Sequence, residues 1–148
     1  MTLSEYNRKN PFGNSISIDE IVENFSYLDN WEDKYRLIIE LGNQLPHLPD
    51  ELKKPENLVH GCQSQVWIAY QHLDNRYQFG LDSDAHIVRG LIAIILSALN
   101  NKSAQEIHAY DIEALFQKLG LLQHLSPLRG NGLRAMVERI RKLSQPSA

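Results

Sequence analysis

VWIAYQHL at Val66–Leu73, then Asp74-Asn75, then RYQFGL at residues 76–81: this run decides what kind of domain the chain makes. The first part is rich in β-branched and aromatic residues. The second alternates, with Tyr77, Phe79 and Leu81 on one side and Arg76 and Gln78 on the other. A period of two is the mark of a strand with one buried face. Asp-Asn between two such runs is a two-residue turn, a weaker signal than Asn-Gly, and it predicts a β-hairpin. A short strand near residues 57–60 is expected to join the hairpin edge. Elsewhere the spacing is helical.

Directly downstream, residues 84 to about 100 are apolar nearly all round. That predicts the most buried helix, with Asp82-Ser83 as its cap. Upstream, Ser17 and Glu20 have capping-box spacing, followed by Ile18, Ile21, Val22 and Phe25 at helical intervals. Asn30 is expected to cap a helix that turns Trp31, Tyr35, Ile38 and Ile39 inward and ends at Gly42, with Glu32 and Arg36 paired on its wet side. Residues 45–54 (LPHLPDELKK) carry two prolines and read as irregular. Ser103 and Glu106 form another capping box, and Asp111 starts a helix that Gly120 ends. Leu133, Met136, Val137, Ile140 and Leu143 mark a last amphipathic helix, stopped before Pro146. Residues 1–14 are polar with a Pro-Phe-Gly break and read as a flexible N-terminal arm. The expectation is a single domain over residues 15–148. Its class is α+β: a small antiparallel sheet of about three strands packed with five or six helices.

The chain has 148 residues, 43% of them hydrophobic, and a net charge of -3. That is enough for one domain with its own core. A mildly acidic balance gives no electrostatic footprint for nucleic acid; the basic last helix, with Arg134, Arg139, Arg141 and Lys142, reads as a solvated face. The most apolar run, LIAIILSAL at residues 91–99, is too short for the roughly 18 or more residues of a membrane span. No export signal is read at the start. A cytoplasmic protein is expected, with no membrane partner.

The chain holds one cysteine, Cys62, between Gly61 and the polar Gln63-Ser64-Gln65. Free cysteines are most often small core residues. This one is flanked by His60-Gly61 and by polar residues, on a loop leading into a strand, where reactive groups tend to be placed. One thiol excludes Cys-x-x-Cys redox chemistry, a cysteine-rich zinc site and a cluster scaffold. The six histidines are scattered, with no pair at a convincing ligand spacing, so no metal is expected. No local signature supports a cysteine protease. What remains is single-thiol chemistry, with the second reactive group on another protein.

Four ordered motifs resemble the SufE family, including its CsdE branch. They are Trp31-Glu-Asp-Lys-Tyr35 leading into Leu41-Gly42 and Leu45-Pro46; Gly61-Cys-Gln-Ser-Gln-Val-Trp67; Asp82-Ser-Asp-Ala with Ile87-Val-Arg-Gly-Leu91; and Gln123-His-Leu-Ser-Pro127 with Arg129-Gly-Asn-Gly-Leu133. Gly130 stands where the family often has serine. The resemblance implies an α+β fold similar to the IscU-type scaffold. It implies a sulfur acceptor that takes persulfide sulfur from a cysteine desulfurase, SufS- or CsdA-like, onto Cys62, stimulates that enzyme, and passes sulfur toward an iron–sulfur scaffold. The pyridoxal phosphate then belongs to the desulfurase, and this chain carries no cofactor and is no stand-alone enzyme. His60, Gly61, Gln63, Asp84 and Arg129 are expected to support Cys62 or touch the partner. The alternatives are an allosteric adaptor with Cys62 a bystander, and a stand-alone thiol enzyme such as a peroxide reductase.

Overall fold

The computed structural model describes residues 2–146. The order is α1 (Leu3–Lys9), α2 (Ile18–Ser26), α3 (Trp31–Asn43), β1 (Val66–Leu73), β2 (Arg76–Ser83), α4 (His86–Leu99), α5 (Ala104–Ala109), α6 (Ile112–Leu119), α7 (Leu121–His124) and α8 (Pro127–Leu143). Single 3-10 turns occupy Asp50–Leu52 and Pro55–Asn57. The class is α+β.

β1 and β2 form an antiparallel hairpin in the register Leu73↔Arg76 through Val66↔Ser83. Asp74 and Asn75 both take positive φ (52° and 62°), the conformation a type I′ turn requires. The third strand is reduced to one bridge, Leu58↔Trp67, because residues 55–57 coil into a 3-10 turn before they can pair further. The outer side of β2 is filled by side chains and loops. Leu81 exchanges two hydrogen bonds with the Tyr6 hydroxyl, and the Phe79 N–H donates to Asn100 Oδ1. The Tyr77 N–H donates to the Lys102 carbonyl at 2.8 Å.

Those contacts correct the expectation of a flexible N-terminal arm. Residues 3–9 are a helix with a full Thr2–Glu5 capping box, and Tyr6 and Phe12 have no exposed surface. The signal was present as Thr2-x-x-Glu5, but the polar composition of the stretch outweighed it.

α4 is the central element, with every residue from Ile87 to Leu99 buried. It crosses α3 at two glycines. A Cβ on Gly42 would stand 2.7 Å from the Gly90 nitrogen, and one on Gly90 would overlap the Ile38 carbonyl. Gly42 therefore permits close backbone approach, and α3 runs one residue past it to Asn43. The wet side of α3 pairs Arg36 with Asp33 rather than with Glu32.

A second correction concerns Asp82-Ser83. β2 continues through both residues, and Ala85 takes the cap position of α4 with no side-chain bond. Asp82 is fully buried and forms an ion pair with Arg89. It accepts from the backbone N–H of Leu48 (2.9 Å) and of Ser83 (2.8 Å). Lys53 Nζ stands 3.3 Å away and His47 Nδ1 3.4 Å. Arg89 also donates to the Leu45 carbonyl. A buried carboxylate is tolerable only when paired and hydrogen-bonded, and here the pairing ties the proline-rich loop to the core.

Candidate functional site

Cys62 lies between Gly61, at φ 94°, and the neck where the Val59 N–H donates to the Val66 carbonyl at 2.8 Å. That φ is left-handed and suits glycine, and it turns the chain back toward α8. The Cys62 Sγ meets the Gly132 carbonyl at 3.6 Å, within sulfur hydrogen-bonding range. The thiol is half-buried, and that burial raises its pKa above the ordinary thiol range.

The sulfur faces a small cleft with about 20 Å³ of free space, room for roughly one water-sized atom. Val88 and Leu91 of α4 form its floor, Leu133 and Met136 of α8 one wall, and Gln63 and Ser64 the loop side. Leu128 and Arg129 line the rim, and Leu128 is 59% exposed, unusual for a leucine beside a core. Gly132 packs directly against the thiol: a Cβ there would stand in ordinary contact with Sγ, at 3.5 Å.

The residues expected around Cys62 fall into three groups. Gln63 and Arg129 share its cleft. Asp84 anchors the far side of the loop, accepting from the Gln65 N–H at 3.2 Å, while the Ser83 hydroxyl donates to the Gln65 carbonyl at 2.7 Å. His60 is exposed; it lies outside that cleft, lining one groove with Ala135, Glu138, Arg139 and Lys142 and another along the loop with Cys62 and Gln63. Burial is the cause of the upward shift of the thiol. Sequence reasoning missed Gly132, Met136 and Leu128. The spacing Gly130-x-Gly132 inside an otherwise amphipathic helix was the available sign, since a helix-interior glycine costs stability without a packing reason.

Among the described residues no three His, Cys, Asp or Glu side chains gather as a metal site, and no helix is long and apolar enough to cross a membrane.

The profile of the family described as the Fe-S metabolism associated domain, SufE, matches residues 19–144, which takes in the loop, the hairpin and all of α8. The chain belongs to the SufE family. An uncharacterised SufE-like protein of Rhizobium etli is 50% identical over 130 residues, covering 85% of this chain and 88% of the relative. The sulfur acceptor protein CsdE of Escherichia coli is 44% identical over 131 residues, covering 88% and 89%. A solution structure of a hypothetical protein from Thermus thermophilus superposes with a TM-score of 0.68 at 19% identity, covering 84% of this chain and 90% of that one. At that identity the likeness speaks for the fold alone. Two of the SufE motifs meet in space: Trp31 stacks on His124 with ring centroids 4.6 Å apart.

Proposed function

We propose that this chain is a sulfur acceptor that takes sulfane sulfur from a cysteine desulfurase onto Cys62. Membership of the SufE family and 44% identity to a protein named as a sulfur acceptor support the class of chemistry. The observation that carries the reading is local. The one thiol of the chain sits at the mouth of a one-atom cleft, on a loop tip tied, among the described residues, by one weak sulfur hydrogen bond and by partial packing of Cys62 on the core.

The step is an exchange without net oxidation. The Cys62 thiolate attacks the terminal sulfur of the desulfurase persulfide. A new S–S bond forms at Cys62, the old one breaks, and the donor leaves as thiolate. A thiolate of the next acceptor, on an iron–sulfur assembly protein, removes the terminal sulfur from Cys62 in the same way. Attack requires the thiolate, and burial keeps the thiol protonated in the resting fold. Docking draws the tip out, with Gly61 as pivot, and ionisation follows exposure. On return, the cleft beside Sγ shields the added sulfur from reductants. The persulfide would be generated on the donor, where pyridoxal phosphate would supply the chemistry, and this chain would contribute only the thiol and its shelter.

The test is desulfurase turnover with the parent protein and with Cys62→Ser. The acceptor reading predicts stimulation by the parent and none by the serine variant, with both melting at the same temperature. Equal stimulation by the serine variant would instead establish an allosteric adaptor.

A further inference from the structure

One face of α8 carries the segment that leads to Cys62. Gly132 meets the sulfur; a Cβ at Gly61 would lie 3.3 Å from the Ala135 methyl; and Arg139 reaches the chain further back. Positions 132, 135 and 139 are stacked at helical spacing. The Arg139 guanidinium donates from Nη1 to the Leu58 carbonyl at 3.2 Å and from Nη2 to the Glu56 carbonyl at 3.1 Å. One planar fork thus holds two carbonyls two residues apart, a task lysine's single ammonium performs poorly.

The rest of the loop is anchored unevenly. Its far root is held at Gln65 by Asp84 and Ser83. Its near root is held by Arg139 and by the Val59–Val66 bond. Between them, residues 60–64 make no backbone–backbone hydrogen bond among the described residues, and only Cys62 reaches across, to Gly132.

We infer that Arg139 is the positioning residue of the acceptor loop: it clamps residues 56–58 to α8, so that opening is confined to the tip at 60–64. The basic character of α8 is then only partly a solvated face. Arg134 is paired with Glu113 and Arg141 donates to the Tyr110 carbonyl, whereas Arg139 is spent on the loop. Freed of the clamp, the hinge moves back along the 3-10 turn. The thiol opens more often and is presented over a wider range of positions. This inference rests on the acceptor reading for its consequence in transfer, not for its consequence in the free protein.

The experiment therefore has two arms on the full chain, with Arg139→Ala, Arg139→Lys and the control Arg134→Ala. In the first, Cys62 of the isolated protein is alkylated with iodoacetamide across pH. The expected result is about tenfold faster alkylation for Arg139→Ala, on the scale of one lost charge-assisted hydrogen bond, partial recovery with lysine, and a parental rate for Arg134→Ala. The pH midpoint should fall or stay, because opening relieves burial. A slower rate with a raised midpoint shows a purely electrostatic influence and overturns the inference, as does a parental rate. Equal acceleration by Arg134→Ala shows general loosening of α8 and overturns it too. In the second arm, the acceptor concentration for half-maximal desulfurase stimulation should rise for Arg139→Ala while maximal turnover holds. An unchanged half-maximal concentration overturns positioning. If the parent itself gives no stimulation, the acceptor reading has failed, and the alkylation arm still decides the clamp.

Discussion

Asp82 and Cys62 sit at the same end of the hairpin and are held in opposite ways. Asp82 has no exposed surface, two backbone donors, a guanidinium, and a lysine and a histidine within ion-pair distance. Cys62 is half-exposed, packs partly on the core and makes one sulfur hydrogen bond. Polar anchoring is concentrated at the base, where the proline-rich loop, β2 and α4 must not move. It is nearly withdrawn from the tip, where the proposed acceptor reaction would require the thiol to travel. A rigid scaffold with one lightly held loop is how a reactive group can be both sheltered and deliverable.

The sharpest way to break this contrast is at its rigid pole. Asp82→Ala leaves Arg89 buried without its carboxylate, and is expected to cost about 3–5 kcal/mol in urea unfolding. A loss under about 1 kcal/mol would mean that the cluster is not the anchor described. Next comes the crossing that supports α4. Gly90→Ala forces a methyl group into the Ile38 carbonyl, for an expected loss of about 1–3 kcal/mol by the same measurement.

The loose pole is read by chemistry instead. Burial raises the Cys62 pKa, so alkylation of the folded protein should titrate above the ordinary thiol range, and urea should bring the midpoint back down. The sign for stability follows. A folded pKa above the unfolded one means that the contribution is fully present below the unfolded pKa and is lost as pH rises through the folded one. Unfolding free energy should therefore dip at alkaline pH in the parent and not in Cys62→Ser. Asp84→Ala removes one bond at the far root; alkylation should quicken about threefold or more, while stability changes by less than about 1 kcal/mol. Gly132→Ala is the mildest. Its Cβ would make ordinary contact with Sγ, and alanine favours a helix, so stability should stay within about 1 kcal/mol of the parent.

Much of this contrast was legible in the chain. The hairpin register follows from alternation and a two-residue turn, and the buried helix from an apolar run without a wet face. Cys62 stood out because its neighbours are wrong for a core. The cluster around Asp82 was hidden because Asp-Ser before a helix is the ordinary sign of a cap, and only the extra strand residues turn the carboxylate inward. α1 was hidden because its burial rests on Tyr6 and Asn7 finding the hairpin, partners 64 to 75 positions away. The cleft could not be read either, since its walls come from α4 and α8, which periodicity marks as apolar without saying what they enclose.

The most direct test is the intact mass of the protein after incubation with a desulfurase and cysteine. The account predicts a gain of one sulfur atom, located on Cys62 by peptide mapping, reversed by a thiol reductant and lost in Cys62→Ser. A protein that speeds desulfurase turnover yet gains no mass, with Cys62 still a free thiol, would contradict it.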